Sequence, residues 1–361
     1  GFHSHSDFEA LMIRPATIAR LTVALAALLS TTQLRAQTFT AQKMSIGGDG
    51  FFDYLSVDTA TNRVFVSRGT HIMVIDGSTG QLVGDIPNTP RVHGAMLVPS
   101  ENHGFTTNGG DSSVTMFDLK TLAVIKKIPA GIDGLDGFMY DAPTNTMLSL
   151  NHSHPTGTAV VIDAKSGNVI TRVTLSGNGP EGGVSDGKGR IFVNLEDKNA
   201  IDVIDDKTWK VVDTWKIDPC DGPTGIAMDH ETNRIFSGCG KTSVVVDANT
   251  GKVVAQIPNG EGVDGLGFDQ SQKLIYIPDG RGGNVTVVHE DSPDKYTVVA
   301  TVPTMQGART ITVNDKTHVA YVFTPEFGPP PANAPPPQPG RRGPRGPIIA
   351  SWLIAVKHQG G

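Results

Sequence analysis

The chain has 361 residues, 42 of them Gly and 24 Pro, with 38% hydrophobic and 6% aromatic side chains and a formal charge of −6. That length can bury a large core, and the Gly and Pro content demands many turns. An acidic balance with 3 Trp and 5 Tyr argues against a nucleic-acid binder, which needs phosphate-neutralising cations and stacking rings.

Residues 1–11 precede Met12 and read as upstream residues. Arg14 and Arg20, the apolar run Leu21 to Leu29 and the small or polar stretch up to Ala36 and Gln37 form the pattern of a secretory leader. The run is well short of the ~20 apolar residues of a spanning helix, and nothing later is longer. Residues 1–36 are therefore expected as upstream residues and a cleaved signal peptide, with an uncleaved anchor as the alternative. Residues 37–361 are expected as one periplasmic or secreted, soluble, monomeric domain without a membrane span.

Beyond the leader, helical periodicity is absent and short alternating runs prevail, which reads as all-β. Thr38 to Ile46 offers one lone strand. A unit of strand, turn, strand and Gly-rich loop then recurs, most cleanly from Val245 to Phe268, where Asn249-Thr250-Gly251 supplies the turn and Pro258 stops the strand. The unit's aspartates are Asp76, Asp118, Asp163, Asp205 and Asp247, spaced 42, 45, 42 and 42 residues apart. A looser copy starts at Val287 and a further apolar run covers Trp352 to Val356.

A period of about forty residues with several short strands signals a β-propeller blade. Six blades of four strands are expected from near Phe52, His93, Asp136, Gly182, Gly225 and Gly265. The seventh has only Thr310 to Val313, Val319 to Phe323 and Ser351 to Val356, so Thr38 to Ile46 is expected to complete it. The fold class is thus a seven-bladed propeller whose last blade is closed by the N-terminal strand. Pro325 to Pro347, residues 325–347, is a Pro-rich insertion expected not to pair in a sheet, because Pro lacks an amide donor.

The repeat resembles that of the YVTN-repeat, YncE-like family of seven-bladed bacterial propellers, through Phe65-Val66-Ser67, Phe105-Thr106-Thr107-Asn108, Phe192-Val193-Asn194 and Tyr321-Val322-Phe323. The likeness runs from about Thr38 to His358, although no copy spells the family signature in full. It implies an architecture and no particular chemistry.

Aligning the units on the glycine that opens most inner strands places Asp53, His93, Asp136, Glu181, Thr224, Asp264 and Arg309 at one position per blade, spaced 40, 43, 45, 43, 40 and 45 residues apart. In a closed propeller they would circle the channel mouth. Four carboxylates in one circle raise each other's proton affinity unless something compensates. Either a polar wall braced by Arg309 or a bound cation or polar ligand would do so.

Loops on the same face contribute Arg68, His71, Asn108, Asp111, Asn151, His152, His154, Glu196, Lys198, Lys241, Asp279 and Arg281. His152 and His154 alternate, so both could reach one metal with His93, Asp53, Asp136, Glu181 and Asp264 as further donors. The oxygens would favour calcium and the imidazoles zinc or copper. Cys220 and Cys239 fall on one face of blade five and are expected as a disulfide in an exported protein.

No GxxxxGK[ST], HExxH or CxxCH motif occurs. The expected function is binding or scaffolding through the channel-mouth face, with a small polar ligand, a metal or another envelope protein as partner. The alternative is a metal-assisted hydrolase or lactonase using the same ring.

Overall fold

The structure is a computed structural model that describes residue 1, residues 38–334 and residues 345–359. Apart from residue 1, the expected leader lies outside the described residues. The described residues from 38 onward belong to one compact unit, built from seven four-stranded antiparallel sheets. The only helical pieces among the described residues are two three-residue 3-10 turns, Pro99–Glu101 and Glu196–Lys198. No helix there is long and apolar enough to cross a membrane.

The innermost strands are Leu55–Asp58, Val92–Val98, Leu135–Asp141, Pro180–Ser185, Ile226–Asp229, Gly267–Asp269 and Ile311–Asn314. Each touches the inner strands of the blades before and after it, and the last returns to the first. This closes the ring around an axis.

The repeated aspartates explain why the third strand of a blade turns into the fourth. Asp76 Oδ1 accepts the amides of Ser78 and Thr79, and Asp118 Oδ1 those of Lys120 and Thr121. Asp163, Asp205 and Asp247 do the same from Ser166, Thr208 and Asn249. A side-chain acceptor replaces a backbone one and fixes a tight turn. A second set of carboxylates ends the inner strands: Asp58 accepts from Ala60, Asp186 from Lys188 and Arg190, and Asp269 from Ser271 and Gln272. The looser copy at Val287 is a longer hairpin, Asn284–Ser292 paired with Lys295–Pro303.

Closure by the N-terminal strand is realised. Thr38–Ser45 pairs antiparallel with Ile348–Gln359, from Thr38 opposite Gln359 to Ser45 opposite Trp352. Met44 and Ile46 join Phe52, Val66, Phe323 and Leu353 in the apolar seam between blades seven and one. Arg68 locks the same seam from within. It is 1% exposed, donates to Asp49 O and Ser351 Oγ and lies over the Phe323 ring at 4.8 Å.

The Pro-rich insertion is shorter than expected. The strand Val319–Phe327 continues through Pro325, which opposes Ser351, and Phe327 opposes Ile348. Its inner neighbour Ile311–Asn314 reaches only Val319 to Val322. Pro325 therefore sits where the strand has a partner on one side only, a position that tolerates proline.

Candidate functional site

The ring positions sit where each inner strand begins, and the residue that follows decides how tightly these starts can crowd. In five blades it is Gly: Gly94, Gly137, Gly182, Gly225 and Gly265. A Cβ on Gly137 would lie 2.1 Å from Glu181 O, and one on Gly225 would lie 2.2 Å from Gly265 C. Only hydrogen lets neighbouring strand starts approach so closely.

The polar side chains brought together there form an unbroken chain of contacts. Arg309 Nε donates to Asp264 at 2.5 Å and its Nη2 to Asp53 at 3.3 Å. His93 Nδ1 lies 2.7 Å from Asp53 Oδ2 and 3.2 Å from Asp136 Oδ1. His152 Nε2 continues the chain at 3.8 Å from Asp136 and 3.3 Å from Glu181, and also meets Pro180 O at 2.9 Å. Asp53, His93, Glu181 and Thr224 are all buried.

Thr224 belongs to the circle by position but not to this network, since its hydroxyl donates to Val263 O. His154 is exposed and takes no part in the network among the described residues. The histidine pair is thus divided, with one member on the ring and one on the loop surface.

Several loop residues expected at the mouth serve the scaffold instead. Arg68 is the seam residue described above. Asn108 bonds Thr106, Ser113 and Thr115, and Asp279 accepts from Thr286 and Gly260. Lys241 and Arg281 both reach Glu261 on the mouth surface.

Burial and charge set the protonation of the ring. Burial would lower the His93 pKa, but hydrogen bonds to Asp136 and Asp53 outweigh it and raise it to about 9. His152 is likewise lifted to about 9, burial being overcome by Glu181 and Asp136. Asp136 is held below the usual carboxylate range because His93 and His152 offset its burial. Glu181 is pushed up to about 7, by burial and by Asp136 and Asp264, against His152. Asp264 rises to about 6 through burial and the nearby Asp53, against Arg309. At neutral pH two imidazolium ions and one guanidinium therefore sit among the carboxylates of the ring.

A ring residue with no signal of its own in the sequence is Tyr54. Its hydroxyl donates to Glu181 Oε2 at 2.8 Å, and its ring packs edge-on to Phe138 at 5.7 Å. Burial, then Glu181, Asp136, Asp53 and Asp264, drive its pKa well up. Tyr54 follows Asp53 where the other blades carry glycine or, after Arg309, threonine. One bulky side chain at a position of small ones was the available clue.

Asp53, His93 and Asp136 present ligand atoms within 4.8 Å of one another and are the group that could hold a metal. A metal would have to displace the hydrogen bond between His93 Nδ1 and Asp53 Oδ2. Beside the ring opens a pocket of about 530 Å³, lined by Thr224, Asp264 and Arg309 of the ring and by Glu196, Lys241 and Glu261 among others. Cys220 and Cys239 form a disulfide, and their neighbours Pro219, Asp221, Gly240 and Lys241 line this pocket.

No family model matches the chain. Over 82 residues it is 32% identical to the uncharacterized protein YncE of Salmonella typhimurium, covering 22% of this chain and 23% of that protein. The YncE of Salmonella typhi matches at the same identity over the same length. The matched stretch spans less than a quarter of either relative. Among solved structures, Kuenenia stuttgartiensis hydrazine synthase superposes with a TM-score of 0.66 at 15% identity, over 81% of this chain and 95% of that chain. The WD40 repeats of RRP9 superpose with a TM-score of 0.72 at 8% identity, over 88% and 97%. Likenesses at such identities carry the fold alone. The chain is thus a seven-bladed β-propeller that is similar to YncE over 82 of its residues.

Proposed function

We propose that this chain is a binding protein, exported from the cytoplasm, whose channel-mouth face receives a small polar ligand or the polar side chains of an envelope partner. The observation that carries this reading is the charged network from Asp264 through Arg309, Asp53, His93 and Asp136 to Glu181, flanked by a pocket of about 530 Å³. Its walls offer both signs of charge on a rigid sheet framework, which suits recognition without rearrangement. The disulfide beside the pocket supports export, since such bonds persist in oxidising compartments.

The test is a thermal-shift panel of amino acids, sugars, organic acids and divalent cations against the wild type, Asp264→Asn and Thr224→Val. A compound that raises the wild-type midpoint by several degrees, and has lost that effect in a folded variant, supports the reading. A panel whose every effect survives in both variants counts against it.

A second reading, metal-assisted ester or lactone hydrolysis, is favoured by the convergence of Asp53, His93 and Asp136. There a metal would polarise a carbonyl and a ring carboxylate would act as base. Hydrolysis that requires an added divalent ion and disappears in Asp136→Asn would bring it forward.

A further inference from the structure

On the face away from the mouth, one junction between blades lacks a cation that its counterpart has. In six blades the residue ahead of the second strand has a positive φ, and its carbonyl accepts an amide from near the end of the third strand. Four of these pairs join an asparagine to an uncharged residue: Asn62 to Gly77, Asn102 to Leu119, Asn145 to Ala164 and Asn233 to Ala248. The other two carry a carboxylate at the second position. They are Lys273 with Glu290 in blade six and Gly189 with Asp206 in blade four.

In blade six the chain supplies its own positive charge. Glu290 is buried beside Asp229, the last residue of the inner strand of blade five, and Lys273 Nζ donates to Asp229 Oδ2 at 3.0 Å. Blade four repeats the acids. Asp141 ends the inner strand of blade three and accepts from Thr144 as Asp229 accepts from Thr232, and Asp206 stands where Glu290 does. The place of Lys273 is taken by Gly189. A Cβ there would lie 3.7 Å from Asp206 Oδ1 and meet no other atom beyond its chain neighbours within 4 Å. The space a side chain would fill is open, and a carboxylate borders it.

Among the described residues no cation bonds either acid. Asp141 accepts only from Ser185 and Thr144, which are neutral, and Asp206, 4% exposed, has a carboxylate that accepts no hydrogen bond. The cations close by in sequence are committed elsewhere, Arg190 to Asp186 and Ala248 O, and Lys188 to Asn233. Burial, then the charges of Asp141 and Asp205, hold the Asp206 carboxyl above its usual range, with Lys207 offsetting them only in part. A buried carboxylate without a donor is costly. A hard cation, which carboxylate and hydroxyl oxygens suit, removes that cost.

We propose that a calcium ion binds at the junction of blades three and four, held by Asp141 and Asp206 in the space that corresponds to the Lys273 side chain two blades on. The site lies at the opposite end of the inner strands from the mouth and stands apart from the reading of that face. With only two carboxylates to hold the ion, its Kd should fall at about 10⁻⁴–10⁻³ M, the range of extracellular calcium modules.

The probe is calcium itself. The whole chain, freed of metal with chelator, is dialysed to equilibrium against radioactive calcium at constant ionic strength as wild type, Asp206→Ala, Asp206→Asn and Asp136→Asn. Blades three and five carry alanine at the position of Asp206, so Asp206→Ala is expected to fold, which circular dichroism checks. Wild type should bind about one calcium per chain, both Asp206 variants should bind it tenfold or more weakly, and Asp136→Asn, in the ring, should bind it as wild type does. Calcium kept by both Asp206 variants, or lost only from Asp136→Asn, places the ion elsewhere and overturns the proposal. So does a wild type that takes up no calcium at several times the expected Kd.

Discussion

Replacing His93 by Gln probes the ring's electrostatics at an imidazole set between two carboxylates. In the folded chain the imidazole pKa is raised from 6.5 to about 9, and the residue is 8% exposed. At about 1.4 kcal/mol per tenfold change in proton affinity, the shift corresponds to about 3 kcal/mol of folding stability. A raised folded pKa means that this contribution is fully present below pH 6.5 and is lost as pH rises through about 9. Glu181, lifted from 4.5 to about 7, adds a loss in the same direction over a lower window. Stability should therefore be greatest in mildly acidic solution and fall steadily toward alkaline pH. The assay is urea unfolding of wild type and His93→Gln at pH 6, 7.5 and 9. At pH 6 the variant should be less stable by up to about 3 kcal/mol, and the two curves should converge as pH approaches 9. Parallel curves across that range would show that His93 carries no folding-linked charge, and the argument for a self-paired ring would fail.

Tyr54→Phe removes the donor to Glu181 and should cost about 1.5–3 kcal/mol, the range for a hydrogen bond to a charged group; chemical unfolding at pH 8 reads it. Gly137→Ala pushes a methyl to 2.1 Å from the backbone oxygen of Glu181. It should lower stability by at least about 1–3 kcal/mol, the usual range for overpacking, seen as a drop in thermal midpoint. Replacing both Cys220 and Cys239 by Ser opens a loop closed across 19 residues and should cost about 3 kcal/mol. Because the two cysteines are 1% and 0% exposed, mild reductant should leave the native disulfide intact until the chain unfolds, which thiol labelling can follow.

The architecture was legible because it is written in local chemistry that repeats. The aspartates at Asp76 through Asp247 recur because each ends a strand in a side-chain-accepted turn, and counting strands left blade seven short of the one that Thr38–Ser45 supplies. The ring positions were legible for the same reason: a fixed place in a repeat becomes a fixed place on a circle. What the spacing could not reveal is how each side chain turns once there. Arg68 and Asp279 have the composition of mouth residues, yet they are 1% exposed, because the seam and the hairpins need buried donors and acceptors. His152 and His154 look equivalent in sequence, but only His152 approaches Asp136 and Glu181. Pro325 reads as a strand breaker until its inner neighbour is seen to begin only at Ile311, opposite Val322. Tyr54 escaped notice because its role depends on Glu181, 127 residues away.

That the mouth receives a polar ligand is tested most directly by ligand-observed NMR of one mixture of polar compounds against wild type, Asp264→Asn and Thr224→Val. Ligands detected with wild type and lost from a folded variant are the expected result. Saturation-transfer spectra identical for all three proteins would contradict it.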